Sequence, residues 1–232
     1  MYGDRSAENH LVNEQGIYRP APTQPPAIRF FAQLFSYVFH PLFVPSYTTF
    51  FLLYLHPYVF SDTNPRIKLL KGVSVILLTA FFPAFSVFLL KQLGFIQSIF
   101  LKTQKERIIP YVISMFFYFW VFYVSVNLSD SPLLFRVMLL GVFLSCIVAY
   151  MANIYYKVSM HAVAMGGFMT FFLILSLQGG FFIGLYLSLA ILIAGLVCTS
   201  RLIVSDHHPF DVYSGFFMGV VSQAVAQWLL AS

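Results

Sequence analysis

Residues 158–200 read VSMHAVAMGGFMTFFLILSLQGGFFIGLYLSLAILIAGLVCTS and contain no Asp, Glu, Lys or Arg. A helix needs about 20 mostly apolar residues to cross the hydrocarbon core of a bilayer, where all its backbone hydrogen bonds stay internal. The stretch is too long for one crossing, and Gln178-Gly179-Gly180 near its middle supplies the polar, permissive residues of a turn. It therefore predicts a hairpin of two membrane-spanning helices.

Five more uncharged stretches surround this hairpin, at 30–61, 72–90, 108–129, 137–156 and 212–232. Of all residues, 59% are hydrophobic and 9% are charged, whereas about a quarter of the residues of a soluble globular domain are charged. The pattern predicts an all-α, polytopic transmembrane helix bundle of about seven spans. They are expected at roughly 30–58, 69–91, 109–127, 133–155, 161–178, 181–200 and 209–230.

Three prolines interrupt the first predicted span, Pro41, Pro45 and Pro57. Proline inside a helix removes a backbone hydrogen bond and clashes with the preceding turn. The sequence therefore leaves two alternatives for this region. It forms one long helix over 30–58, or an amphipathic segment over 29–40 lies along the membrane interface before a short span that begins near Ser46.

The N-terminal residues 1–28 are polar, mildly charged and proline-rich, without the apolar core of a signal peptide. We expect a disordered polar tail over 1–28 and one transmembrane domain over 29–232. The formal net charge of +5 is ordinary where Lys and Arg contact lipid headgroups, and no nucleic-acid-binding motif is present. The lipid bilayer is the expected partner. Cys146 and Cys198 lie in predicted spans and are interpreted as small apolar residues.

Ionisable residues at the edges of these spans form three clusters, and such residues indicate function because burying them is costly. The first is KTQKERIIP at 102–110, which ends with Pro110 in the first turn of the third span. The second is SMH at 159–161, whose serine is a candidate N-cap of the fifth span. The third is SRLIVSDHHPFD at 200–211, which opens the seventh span with Pro209.

All three clusters are predicted to lie at one face of the membrane. Two spans separate the first cluster from the second, and two more separate the second from the third, so the chain returns to the same side each time. The residues gathered at this face are Lys102, Lys105, Arg107, Lys157, His161, Arg201, His207, His208 and Asp211.

This face suits an anion such as phosphate. Three helix N-termini end there, and each presents unpaired N–H groups and the positive end of a helix dipole. Histidine acts as a nucleophile or a general acid near neutral pH, and a carboxylate bonded to one ring nitrogen determines which nitrogen reacts. Asp211 is placed to orient His207 in this way.

The third cluster resembles a motif of the type 2 phosphatidic acid phosphatases, a family of membrane lipid phosphatases. The motif reads S-R-x5-H-x3-D, and Ser200, Arg201, His207 and Asp211 match its four fixed positions. The family's second motif is P-S-G-H. Residues 158–161, Val-Ser-Met-His, keep its serine and its histidine.

The family's first motif, K-x6-R-P, is present in residue types but not in spacing. Lys102 lies five residues before Arg107 instead of seven, and Pro110 lies two residues beyond its expected position. Lys102 and Lys105 are therefore alternative candidates for the single lysine of this motif. The resemblance covers roughly residues 100–215, in the family's motif order, and the first two spans lie outside it.

The resemblance implies a six-helix phosphatase-like core and a reaction through a phosphohistidine intermediate. In that scheme His207 attacks phosphorus, Asp211 orients its ring, and His161 protonates the leaving oxygen. The residues implied to bind the phosphoryl oxygens are Arg201, Arg107, Lys102 or Lys105, Ser159 and Ser200. Because cationic side chains stabilise the charge, the scheme needs no metal or other cofactor.

The implied substrate is a membrane lipid that carries a phosphate or a diphosphate. The family offers phosphatidate, phosphatidylglycerol phosphate, lipid A phosphates and undecaprenyl diphosphate, among which we favour a polyprenyl diphosphate. Bacterial relatives in the family carry the site on the extracytoplasmic face. The resemblance therefore implies an integral protein of a bacterial inner membrane with its active site on that face.

Two other functions stay open at the level of the sequence. A catalytically inactive phospholipid-binding or assembly protein of the same fold would explain the altered first motif. A transporter or flippase would also hold an anionic headgroup in a basic pocket, but it predicts polar residues deep within the spans, where this chain has few.

The histidines also have simpler interpretations. His161 is alternatively an interfacial residue bonded to a neighbouring helix. The two histidines and two aspartates of the third cluster alternatively bind a metal, although the surrounding Arg and Lys would repel a cation. His208 is interpreted as a loop residue beside the site. Three further histidines are assigned no role, His10, His40 and His56.

Overall fold

The computed structural model describes residues 10–12, 18–20, 24–99, 101, 103–128, 130–178, 183–204 and 207–231. Lys102, Asp206 and both glycines of the predicted 178–180 turn lie outside these residues. The helices are α1 (Pro26–Val38), α2 (Val44–Phe50), α3 (Pro65–Ile76), α4 (Phe82–Gln92), α5 (Gln104–Asn127), α6 (Leu133–Tyr155), α7 (Met160–Leu177), α8 (Ile183–Val204) and α9 (Pro209–Ala231).

Two short π-helical segments modify this arrangement. Phe51–Leu55 extends α2, and Leu77–Phe81 joins α3 to α4 into one continuous helix. Near the N-terminus, β1 (His10–Val12) and β2 (Tyr18–Pro20) pair as an antiparallel two-stranded ladder. The expected disorder of the 1–28 tail stays a prediction, since most of that segment lies outside the described residues.

Six helices in the described part of the chain are long and apolar enough to cross a bilayer. They are Pro65–Gln92, Gln104–Asn127, Leu133–Tyr155, Met160–Leu177, Gly184–Val204 and Pro209–Ala231. The predicted all-α polytopic bundle is confirmed, and so is the division of the long uncharged stretch into two helices. The predicted first span is not among these six. Its region has the bounds of the second alternative, a separate first helix followed by a shorter apolar helical segment, Val44–Leu55, that begins near Ser46.

The first predicted span is broken into two short helices. α1 ends at Val38, and α2 begins at Val44 with Pro45 in its first turn. The apolar helical segment Val44–Leu55 is about 18 Å long at 1.5 Å per residue, well short of a hydrocarbon core of roughly 30 Å. A single helix over 30–58 is therefore wrong, because the prolines end the first helix and start the second.

The third span begins earlier than the sequence suggested. Thr103 is the N-cap of α5, and it forms a reciprocal capping box with Glu106. The hydroxyl of Thr103 accepts the Glu106 N–H at 3.3 Å, and the Glu106 carboxylate accepts the Thr103 N–H at 3.2 Å. The basic segment is thus the first turn of the helix, and Pro110 lies inside α5 instead of in its first turn.

α7 and α9 approach each other closely enough to exclude side chains at the contact. A Cβ atom on Gly219 would clash with the carbonyl oxygen of Val163, and one on Gly166 would clash with that of Phe216. Glycines let membrane helices come into backbone contact. At the end of this contact the Ser159 N–H donates to the Asp211 carbonyl oxygen at 3.1 Å, so the second and third clusters are joined directly.

Two of the N-terminal positions predicted from the sequence are confirmed. Ser159 is the N-cap residue of α7, and Pro209 is the first residue of α9. α1 packs along α8, and the segment between α1 and α2 therefore lies beside the C-terminal end of α8. This arrangement brings a part of the chain that precedes every span next to the third cluster.

Candidate functional site

A cavity of about 690 Å³ lies between α1, α4 and α5 and extends to the ends of α7 and α8. Its walls are largely apolar and include Pro83, Val87 and Phe88 of α4. Its cationic side chains and imidazoles come from four sequence-distant regions and are His40, Arg107, Lys157, His161, Arg201 and His207. No Asp or Glu is among the described lining residues, so the cavity is suited to an anion.

His207 lies between α8 and α9, and its ring is oriented by a backbone carbonyl. The Nδ1 atom is 3.1 Å from the carbonyl oxygen of Lys157, the distance of a hydrogen bond. A carbonyl only accepts, so Nδ1 carries the proton and Nε2 of the neutral ring keeps its lone pair. Burial, followed by the charges of Arg107, Arg201 and Lys157, lowers the pKa of His207 to about 3. The imidazole is therefore neutral at physiological pH, the form needed for nucleophilic attack.

Asp211 lies behind this ring and does not make the expected hydrogen bond. Its Oδ2 atom is 3.6 Å from Nδ1 of His207, farther than the Lys157 carbonyl. The same oxygen accepts the backbone N–H of His208 at 3.0 Å, which holds the start of α9 in place. The predicted orienting role is thus taken by a carbonyl, while Asp211 provides a nearby negative charge for an imidazolium.

His161 lies in the first turn of α7 and contacts two elements that the sequence did not connect with it. Its Nε2 atom is 3.0 Å from the carbonyl oxygen of Ser36 on α1. Its ring packs edge-on against His40, with 5.3 Å between the ring centroids. His161 also interacts electrostatically with Arg201 and His207, so the two predicted catalytic imidazoles belong to the same site.

Arg107 links the start of α5 to the loop before α7. Its Nε donates to the Leu101 carbonyl oxygen at 3.0 Å and its Nη1 donates to that of Val158 at 3.1 Å. The start of α5 is itself fixed to the end of α6 by a reciprocal pair of bonds between Gln104 and Asn153. The guanidinium group is therefore held rigidly at the cavity wall.

Arg201 lies in the last turn of α8, where the negative end of the helix dipole favours a cation. Its side chain lines the cavity beside His161 and His40, and its positive charge acts on both of these imidazoles. Arg201 and Arg107 thus approach the same space from different helices. Two guanidinium groups in such positions can bind several oxygens of one phosphoryl group.

The remaining predicted phosphate-binding residues do not line this cavity in the described part of the structure. Lys105 is exposed, because a residue two positions before Arg107 on a helix points about 200° away from it. Ser159 is completely buried, and its hydroxyl makes neither an N-cap bond nor another hydrogen bond. Ser200 donates its hydroxyl to the Leu196 carbonyl oxygen at 2.7 Å. Lys102 lies outside the described residues.

The sequence interpretation missed two residues that line the site. His40 was assigned no role because it lies outside the resemblance, within a stretch interpreted as a span. Tyr111 lies one turn after Arg107 on α5, and its hydroxyl contacts the sulfur of Met160 at 2.8 Å. His40 could have been found from the sequence, because it is a polar residue directly before Pro41 in an otherwise apolar stretch. No sequence pattern distinguished Tyr111.

Comparisons of the chain with models of protein families, with curated protein sequences and with solved structures gave no significant match. Two imidazoles, two guanidinium groups and a lysine around one cavity can bind a phosphoryl group, attack it and transfer protons. An apolar wall on the α4 side gives the same cavity room for a hydrocarbon chain.

Proposed function

We propose that this protein is a membrane-embedded phosphatase that hydrolyses a lipid phosphate or diphosphate through a phosphohistidine intermediate. The observation that carries the proposal is the shared cavity of His207, His161, Arg107 and Arg201. Each of these residues corresponds to a motif position of the type 2 phosphatidic acid phosphatases, or has the residue type of one. The combination of a basic end and apolar walls fits an amphiphilic phosphate better than a free one.

The proposed reaction has two displacements at phosphorus. Nε2 of His207 donates its lone pair to phosphorus, and the bond to the leaving oxygen breaks. His161 binds the anionic substrate as an imidazolium and delivers its Nδ1 proton to that oxygen, while its Nε2–H stays on the Ser36 carbonyl oxygen. Water then attacks the phosphohistidine, His161 takes up a proton from this water, and the P–N bond breaks to release phosphate. Arg107, Arg201 and Lys157 stabilise the negative charge on the phosphoryl oxygens throughout.

The apolar walls support a lipid as the substrate, and we infer a polyprenyl diphosphate as the preferred class. Such a chain would run along Pro83, Val87 and Phe88 with its diphosphate at the basic end. By analogy with the family, the site would face the extracytoplasmic side of a bacterial inner membrane. Cysteine labelling at Ser6 and Ser129 in intact cells tests that orientation. The chain passes from the cavity end at His40 to the Lys71–Asp130 end before its first long span, so the two positions are expected on opposite faces.

The decisive experiment is phosphate release by the purified protein in detergent, measured over several lipid phosphates and diphosphates, with and without a chelator. We expect His207→Ala to lower kcat/KM by at least about 1,000-fold, as loss of a nucleophile does. His208→Ala is the matched control, because the bonds between His208 and Asp211 are made by the His208 backbone N–H and carbonyl, and activity should stay within about threefold. A radiolabelled, acid-labile phosphoenzyme should form in the wild type and not in His207→Ala.

One observation favours a second candidate, a non-catalytic phospholipid-binding protein of the same fold. Nε2 of His161 is bonded to the Ser36 carbonyl oxygen, and the Asp211 carboxylate is not bonded to His207, so two expected catalytic contacts are absent from the described residues. That candidate predicts saturable binding of lipid phosphates without phosphate release at any pH. Such a result for the wild type would exclude the phosphatase.

A further inference from the structure

The turn between α1 and α2 brings a third imidazole into the cavity, that of His40. This turn precedes every span and lies outside residues 100–215, to which the resemblance extends. His40 packs edge-on against His161, with interplanar angle 83°, and it interacts with the charge of Arg201. Three histidines from three separate parts of the chain therefore surround the same space.

The local backbone determines which nitrogen of His40 carries the proton. Its Nδ1 atom accepts the backbone N–H of Leu42 at 3.4 Å, and its carbonyl oxygen accepts that of Phe43 at 2.9 Å. Because Nδ1 is an acceptor, the neutral ring carries its hydrogen on Nε2. Burial, with Arg201 as a further cause, lowers the pKa of His40 to about 4, which keeps this tautomer neutral at physiological pH.

We propose that His40 is a phosphate-binding residue of this site and that it donates its Nε2–H to the bound phosphoryl group. The inference rests on the proposed function, whose cavity it shares. A neutral N–H donor adds a hydrogen bond to the developing charge without adding a positive charge. A further cation would lower the basicity of His207, so a neutral donor is the better fourth group beside three cationic side chains.

α1 then has two functions in the site. Its Ser36 carbonyl oxygen accepts a hydrogen bond from the ring of His161, and the turn that follows it supplies His40. The helix Pro26–Val38 and the turn after it therefore complete the phosphate site. This assigns a role to a part of the chain that has no counterpart in the three motifs.

The test uses two substitutions at His40 and a matched control. His40→Gln keeps an N–H donor near the Nε2 position, while His40→Phe keeps the ring volume against His161 and removes the donor. His56→Phe is the control: His56 also precedes a proline, and its Nδ1 also accepts backbone N–H groups, from Tyr58 and Val59 at 3.3 and 3.2 Å. It is not among the described residues that line the cavity.

Binding of dodecylphosphonate is measured by calorimetry in detergent, with all variants made in a His207→Ala parent so that no turnover occurs. We expect His40→Phe to raise the Kd by about 10- to 100-fold, the effect of one hydrogen bond to a charged group. His40→Gln and His56→Phe should stay within about threefold of the parent. Thermal melting of each variant checks that the fold is kept.

The outcomes separate the two proposals. A His40→Phe variant that binds like the parent, or a His40→Gln variant that binds as weakly as His40→Phe, overturns the donor role. A parent that binds no phosphonate overturns the inference together with the phosphatase. Weakened binding by His40→Phe in a protein whose wild type releases no phosphate supports the inference and overturns only the phosphatase. In an active enzyme, His40→Phe should raise KM as well as lower kcat.

Discussion

Both ends of the helix bundle carry cationic side chains that are partly or fully removed from solvent, and the two ends differ in the groups around these charges. At the end of α5 away from Arg107, the Lys71 ammonium group is 3.0 Å from the Asp130 carboxylate and 2.8 Å from the Ser131 hydroxyl. It also lies 5.8 Å from the centre of the Phe135 ring. At the cavity end, three cationic side chains line a space in which no described residue contributes a carboxylate.

This difference distinguishes a structural charge from a functional one. The Lys71 charge is neutralised by a residue of the same chain, so nothing from outside is needed to stabilise it. At the cavity end the nearby Asp211 carboxylate acts on Arg107 from outside the cavity lining, and three cations and two neutral imidazoles, His40 and His207, still surround a space open to an anion. Both ends contain Lys or Arg side chains, so residue type alone does not distinguish them. The difference lies in which groups surround each cation.

The largest effect should follow from removing a guanidinium group at the cavity end. We expect Arg201→Gln and Arg107→Gln each to lower kcat/KM for a lipid phosphate by about 100- to 1,000-fold, because a preorganised donor to the transition state is lost. Arg66→Gln, at an exposed arginine of the other end, is the matched control and should change kcat/KM less than twofold. Equal effects at both ends would contradict the distinction between them.

The second effect is a dependence of stability on pH that originates at the cavity end. The pKa is about 3 for His207 and about 4 for His40 in the folded protein, against 6.5 without the fold. As the pH falls from 6.5 towards 4, these two histidines become protonated in the unfolded chain but stay largely neutral in the folded protein. The free energy of unfolding therefore falls, by up to about 1.4 kcal/mol per pH unit for each histidine.

Thermal midpoints measured in detergent between pH 7 and 4.5 check this prediction. The double variant His40→Phe/His207→Phe should lose much of the slope, because neither site can then be protonated in the unfolded chain. Lys71→Met should lower the midpoint at every pH and leave the slope unchanged. A double variant with the full wild-type slope would mean that other groups cause the acid sensitivity.

The helices of the bundle could be predicted from the sequence, because length and lack of charge alone decide which segments span a bilayer. The Leu133–Tyr155 helix was predicted with the same bounds. The parity argument also placed Arg107, His161 and His207 at one face, and these three residues line one cavity. These predictions succeeded because the length and apolarity that a membrane span requires can be read from each segment by itself.

The errors concern contacts that depend on several segments at once. The start of α5 was misplaced because its capping box was overlooked, and Lys105 was therefore kept as an alternative to Lys102 although it lies on the exposed side of α5. Ser159 was expected to face phosphate, but close packing against Gly215 of α9 buries it. His40 was dismissed because nothing local shows that the segment before the first span turns back onto α8.

The smallest effect concerns the Lys71–Asp130 ion pair at the end of the bundle away from the cavity. Here the informative result is which of two single variants loses more stability. Asp130→Ala leaves the Lys71 ammonium group, whose side chain is 7% exposed, without its countercharge. Lys71→Met instead leaves a carboxylate that is 37% exposed and that water can solvate. We expect Asp130→Ala to lower the free energy of unfolding by about 2 to 3 kcal/mol and Lys71→Met by about 1 kcal/mol.

The double variant Lys71→Met/Asp130→Ala should be no less stable than Lys71→Met, because a removed ammonium group no longer needs a countercharge. Denaturation in detergent measures all three variants, and phosphate release should stay within twofold of the wild type in each. If Lys71→Met is the more damaging of the two single variants, the buried charge is not what the pair stabilises. If either variant abolishes phosphate release, Lys71 belongs to the function, and the contrast between a neutralised cation and a cavity open to an anion fails.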